Sequence, residues 1–154
     1  MNVAVAFDHL GVKLRVAVLS AVADAGHEAV DLGVSDESVR VDYPDQAADV
    51  AEAIRSGRAE RGILVCGSGV GACVAASKVR GIRAAICHDA YSAHQGVEHD
   101  DMNVLCLGSE VVGEALAGEL VRTFLAAHFD GGDRYVERLR KVEQLERRSA
   151  DELI

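Results

Sequence analysis

Residues 61–71 read RGILVC followed by GSGVG: a short apolar run, Arg61–Cys66, opens directly into a loop carrying three glycines. Six residues suit a strand rather than a helix, and an almost uninterrupted apolar run marks a strand covered on both faces. The residues that follow, Gly71–Val79, are amphipathic and read as a helix. The same alternation extends in both directions. Strands are expected at Asn2–Phe7, Glu28–Leu32, Arg83–Cys87 and Asn103–Leu107, with helices at Val12–Ala25, Tyr43–Ser56 and Ala90–Glu98. Two further helices, Val112–Phe129 and Arg134–Arg148, follow the last strand. Such alternation predicts an α/β fold, a parallel sheet with helices on both faces. No internal repeat or low-complexity segment interrupts it, so a single domain is expected over 1–154.

In a sheet of this kind ligands bind outside the carboxyl ends of the strands. The residues just past those ends are Asp8-His9, Cys66-Gly67-Ser68-Gly69, His88-Asp89 and Gly108 onward. A thiol and two imidazoles are therefore expected on the face where the fold places its ligands.

Bulk properties narrow the partners. Aromatic residues make up only 4% of the chain, so Ala, Val, Leu and Ile must build the core. A net charge of −9 without a long basic run excludes nucleic acid, which needs clustered Lys and Arg, but allows a small phosphorylated ligand. No stretch approaches the length needed to cross a bilayer, and the apolar run at Val3–Ala6 is too short, with no basic flank, for a signal peptide. Four cysteines without a CxxC pair suit reduced thiols and a cytoplasmic location.

The Cys66–Gly71 loop carries the chemistry. Three glycines let the backbone turn sharply and aim several N–H groups at one spot beside a helix start, where an anion is stabilised. A thiol placed there has its thiolate favoured, whereas Cys73, Cys87 and Cys106 read as small buried hydrophobes without a role. The loop is neither a dinucleotide fingerprint nor a phosphate loop of the GK[ST] type, so no cofactor is expected. By itself it also fits a plain strand–helix turn. His94 and Glu98, four residues apart, could offer two metal ligands, but no second cluster joins them and no metal is assigned.

These residues together resemble the type B ribose-5-phosphate isomerases, a family that also contains the galactose-6-phosphate isomerase subunits. Asp8-His9 with Gly11 and Lys13 is similar to that family's opening motif, and Asp42-Tyr43-Pro44 to its second. Cys66–Gly71, Ala75–Val79, Gly81–Ala84, Cys87–Asp89, Tyr91–Ala93, Glu98-His99 and Asn103–Leu105 continue the match in order over nearly the whole chain. The resemblance implies a Rossmann-like three-layer α/β/α sandwich with five parallel strands, assembled as a homodimer or homotetramer whose sites draw on two subunits. The helix near 134–148 would pack on, or reach, a neighbouring subunit.

The activity implied is aldose–ketose isomerisation of ribose 5-phosphate and ribulose 5-phosphate through a cis-enediolate. Cys66 would be the base and Ser68 would move protons between the oxygens. His99 would open the ring, with Asp8 holding a hydroxyl. Substrate would be bound by Tyr43, Asp100 and the backbone of Gly67, Gly69, Val70 and Gly71, and the phosphate by His9, Arg134 and Arg138. Three residues depart from the pattern: Glu110 stands where Arg is common, Asp100 where Asn is usual, and Asp133 follows the glycine pair. Glu110 would weaken a phosphate contact, hydrogen-bond a sugar hydroxyl, or pair with Arg134 or Arg138 of a neighbour. The alternatives are a four- or six-carbon or unphosphorylated sugar, or a silent sugar-binding subunit. Retention of Cys66, Ser68, Asp8 and His99 speaks against silence, and a dehydrogenase is a distant fourth.

Overall fold

The computed structural model describes residues 1–151, so the last three residues of the expected 1–154 domain lie outside the described residues. Five strands, β1 (Asn2–Phe7), β2 (Glu28–Asp31), β3 (Arg61–Cys66), β4 (Ala84–Ile86) and β5 (Val104–Gly108), form one sheet in the order β2-β1-β3-β5-β4. Every neighbouring pair is parallel. Six helices accompany them: α1 (Arg15–Asp24), α2 (Tyr43–Arg55), α3 (Val70–Ala76), α4 (Ala90–Asp100), α5 (Glu114–Ala126) and α6 (Asp133–Asp151).

Side chains alternate across the strands, and the two faces are filled differently. Val3, Val5, Phe7, Ile63, Val65, Leu105 and Leu107 pack against α1, α4 and α5 through Val18, Val22, Val97, Leu120 and Phe124. Ala4, Ala6, Leu64, Cys66 and Cys106 face α2 and α3, whose contacts are small: Ala47, Ala51, Ala53, Ala72 and Ala76. Small residues let α2 lie close to the sheet; a side chain on Gly62 would overlap Val50. The three-layer α/β/α architecture follows from these two cores.

Boundaries differ from the sequence expectation for local reasons. The first helix is split, because Gly11–Leu14 forms a 3-10 turn ahead of α1. β4 is shorter than Arg83–Cys87, as an edge strand paired only with β5. α3 ends at Ala76, and Lys78 and Val79 close turns on Ala75 and Ala76 rather than continuing the helix. α5 begins at Glu114 and ends at Ala126, inside the expected Val112–Phe129, because Gly113 and Ala127 are extended. α6 stands outside the layers beside α4, and leaves Val136, Val142 and Leu145 exposed.

The direction of winding reverses at β1: β2 is laid down on one side of it and β3 on the other, all running parallel. That reversal opens a crevice between the carboxyl ends of β1 and β3, where this architecture binds ligands.

Candidate active site

One wall of the crevice is the turn after β1. Asp8 is buried, its amide donates to Val65 O at 3.2 Å, and its Oδ1 accepts from the amides of Leu10 (3.0 Å) and Gly11 (2.8 Å). Asp8 thus folds its own turn while its carboxylate is held at the strand end. Gly11 lies so close to β3 that a Cβ there would overlap the Val65 carbonyl oxygen. His9 is half-buried, and its Nδ1 has no hydrogen-bond partner. It opens onto a cleft of about 380 Å³ lined also by Arg40, Val41, Asp42, Asp45 and Gln46.

The facing wall is the glycine loop. Cys66 is 5% exposed, and the Gly69 amide donates to its Sγ at 3.2 Å. Gly69 adopts φ +81°, the left-handed conformation that turns the loop into α3 and that glycine reaches without strain. Ser68 is exposed, with Oγ accepting from the Val70 amide at 3.2 Å. Two of the expected anion-binding amides, Gly69 and Val70, therefore already have acceptors inside the loop. Among the described residues those of Gly67, Ser68 and Gly71 have none. Tyr43, at the start of α2, lays its ring over Gly71, where a Cβ would come within 2.6 Å of the ring.

The end of β5 closes the third side. Gly108 pairs in register with Cys66; the Ser109 amide donates to Cys66 O at 2.8 Å and the Glu110 amide to Gly67 O at 2.9 Å. Ser109 Oγ donates to Leu10 O at 2.7 Å, and Lys13 forms an ion pair with Glu110. His88 Nε2 accepts from the Gly108 amide at 2.9 Å. Burial pushes the His88 pKa down, against the pull of Asp89.

His99, Asp100, Arg134 and Arg138 are not in this crevice. α4 leaves β4 at the carboxyl end of the sheet and runs back for 11 residues, about 15 Å, to the strand starts. His99 and Asp100 therefore lie at the opposite end from Cys66. There the His99 ring stacks on Tyr135 with centroids 4.4 Å apart, and its Nδ1 is 2.8 Å from Gln95 Nε2. Arg134 lies over the Tyr135 ring, and Arg134 and Arg138 are both exposed with no ion-pair partner among the described residues. The expected site residues thus fall into two groups: Asp8, His9, Tyr43 and Cys66–Gly71 at one end of the sheet, and His99, Asp100, Arg134 and Arg138 at the other.

One sequence expectation needs correction. Cys73 is only half-buried, its Sγ donates to Ala84 O in β4 at 3.5 Å, and its thiol is drawn down to about 6, chiefly by hydrogen bonding with Cys106. Within the chain Glu110 is taken up by Lys13, 97 residues away, a pairing with no local sequence signal. Sequence reading also passed over Gln46, which is buried with an unpaired Oε1, and the bond made by His88. His94 and Glu98 contact one another at 3.4 Å, and no group of three or more potential metal ligands occurs among the described residues.

Comparison with known proteins gives the family and the fold. The profile of the ribose/galactose isomerase family matches residues 3–142. The chain is 40% identical over 147 residues to ribose-5-phosphate isomerase B of Escherichia coli, covering 96% of this chain and 97% of that protein. It is 37% identical over 132 residues to the D-erythrulose-4-phosphate isomerase of Pectobacterium atrosepticum, covering 86% and 87%. Among solved structures, ribose-5-phosphate isomerase B of Mycoplasma genitalium with bound ribulose-5-phosphate superimposes with a TM-score of 0.87 at 37% identity, covering 95% of this chain and 96% of that one.

Proposed function

The chain belongs to the ribose/galactose isomerase family, and from that premise we propose that it interconverts ribose 5-phosphate and ribulose 5-phosphate with Cys66 as base. It is an aldose–ketose isomerase. The observation that carries the catalytic assignment is the Cys66 sulfur at the end of β3, with the Gly69 amide 3.2 Å away and Asp8 across the crevice. Running from aldose to ketose, the Cys66 thiolate takes the C2 proton and the C1 carbonyl becomes an oxyanion, giving a cis-enediolate. The Cys66 thiol, whose proton exchanges with solvent, then protonates C1, while Ser68 carries the hydroxyl proton from the C2 oxygen to the C1 oxygen. The free amides of Gly67, Ser68 and Gly71 face charge that develops only along this path, which is where a hydrogen bond contributes most to rate.

Ring opening and phosphate binding fall to the second group of residues. Because His99, Arg134 and Arg138 lie an α4 length from Cys66, they serve the crevice of a second copy in a homodimer or homotetramer. His99 opens the furanose, Asp8 and Tyr43 hold the open chain, and His9 meets the phosphate together with the partner copy's arginine pair. α6 supports this reading: Val142 and Leu145 line an apolar groove of about 620 Å³ with Ile82, Ala84 and Met102, a surface that a neighbouring subunit would fill. A single domain and a cytoplasmic location accord with four free thiols and no helix, among the described residues, long and apolar enough to cross a membrane.

A second reading, a four-carbon sugar phosphate, has two specific supports. The Pectobacterium relative is a D-erythrulose-4-phosphate isomerase, and Glu110 with Lys13 neutralises a corner where the family commonly has Arg. Assay of ribose 5-phosphate beside tetrose and hexose phosphates, with Cys66→Ala and solvent deuterium uptake as controls, tests both. Wild-type uptake in Cys66→Ala would remove the base assignment, and a larger kcat/KM for the tetrose phosphate would install the second reading.

A further inference from the structure

The glycine loop is not held by its own strand alone. The last residue of β5, Gly108, is in backbone contact with the loop: a Cβ on Gly108 would lie 2.6 Å from the Ser68 carbonyl. The next two residues donate their amides to the carbonyls of Cys66 and Gly67, at 2.8 and 2.9 Å. Where the Gly108 backbone sits therefore decides where Cys66 sits. The Gly108 amide has no strand partner and donates to a side chain, His88 Nε2, at 2.9 Å.

The geometry points to His88 as a positioning residue for the base, its Nε2 anchoring the Gly108 amide so that β5 holds the Cys66–Gly67 backbone in place. For Nε2 to accept, the ring must be neutral with its proton on Nδ1. Burial favours that neutral form. His88 stands in the turn between β4 and α4, so its Cα is set by elements other than those it positions. Without the acceptor, a buried amide is left unpaired and the β5 end shifts to satisfy it. Displacements of that kind need only a fraction of an ångström to reduce turnover.

The inference rests on the isomerase reading, and three variants test it. His88→Gln keeps an acceptor at about the reach of Nε2. His88→Leu fills the space without one. His88→Asn stays polar but its oxygen stands near the Nδ1 position and falls short of Gly108. We expect His88→Leu and His88→Asn to lower kcat about tenfold or more with KM within about twofold. His88→Gln should stay within about threefold of wild type. Exchange of the Gly108 amide, followed by NMR, should speed up in Leu and Asn but not in Gln. Unchanged kcat in Leu and Asn overturns the assignment, as does an equal loss in all three or a loss expressed in KM. If Leu fails to fold, Asn against Gln decides. Wild-type protein inert on every sugar phosphate would sink the isomerase reading instead, and the Gly108 exchange result would still judge the hydrogen bond.

Discussion

Lys13 and Glu110 form an ion pair across the mouth of the crevice, joining the turn after β1 to the loop after β5. Both side chains are about half exposed, at 50% and 55%, so solvent screens the pair and its contribution to stability is small.

Glu110→Arg should therefore leave unfolding free energy within about 1 kcal/mol of wild type. It releases Lys13 and adds a cation at the mouth, so KM for ribose 5-phosphate should fall by roughly threefold to tenfold at low salt, and less at high salt. Steady-state kinetics with a phosphorylated and an unphosphorylated sugar check this. An equal or larger gain for the unphosphorylated sugar refutes a phosphate contact.

The separation of Cys66 from His99 leads to a subunit-mixing experiment. In the proposed homodimer, Cys66→Ala and His99→Asn should each disable both sites of their own dimer. A hybrid of the two places both lesions in one site and leaves the other intact. Co-refolding equal amounts should restore about a quarter of wild-type activity for a dimer assembled at random. No recovery, with hybrids demonstrated by native mass spectrometry, would mean that each chain completes its own site.

Gly11 and Gly71 should respond differently to alanine. At Gly11 the obstacle is the Val65 backbone carbonyl, which cannot move without disturbing β3, so Gly11→Ala should lower Tm strongly or prevent folding. At Gly71 the obstacle is the far end of the Tyr43 ring, which is 43% exposed and free to swing away. Gly71→Ala should keep its Tm within a few degrees and raise KM, and Tyr43→Ala should raise KM without a further increase in the double variant. Thermal unfolding and kinetics on the four proteins separate these outcomes.

The pH dependence of stability follows from His88. Its folded pKa lies below the ordinary imidazole value of 6.5, so the unfolded chain takes up the proton first as pH falls. The stability His88 contributes is present above about 6.5 and is lost as pH falls through the depressed folded value. His27 shifts in the same direction, through burial and the nearby N-terminus, so the wild-type curve reports both. The wild-type urea midpoint should drop more between pH 8 and pH 5 than that of His88→Gln. Identical drops would show that His88 titrates as it does in the unfolded chain.

Much of the fold is legible in the residues. Val3–Phe7, Ile63–Cys66 and Val104–Leu107 are apolar at every position because both sheet faces are covered, and a run of that kind has few other readings. The glycine loop is legible for a related reason: Gly67, Gly69 and Gly71 crowd the point where β3 must turn into α3. The position of His99 is also implicit, since a helix that starts at the end of one strand and leads to the start of the next must carry its last turn to the far side of the sheet. What spacing cannot show is a contact made by long-range closure. The bonds of His88 to Gly108 and of Lys13 to Glu110 join separate loops, and no local pattern announces them. The 3-10 turn at Gly11–Leu14 is similarly hidden, because Asp8 has already fixed the turn that leads into it.

The close approaches at Gly11, Gly71 and Gly108 bear on how such an enzyme can diverge. A side chain at Gly11 or Gly108 must displace backbone, whereas one at Gly71 need only push aside the Tyr43 ring, so the floor of the crevice is closed to gradual change at the first two and yields only at the third. Freedom lies at the rim, where Lys13, Arg40 and Glu110 project into open water and can be exchanged singly without disturbing the fold. New sugar preferences in a descendant of this chain would therefore arise around the entrance, while the chemistry beneath it is inherited whole.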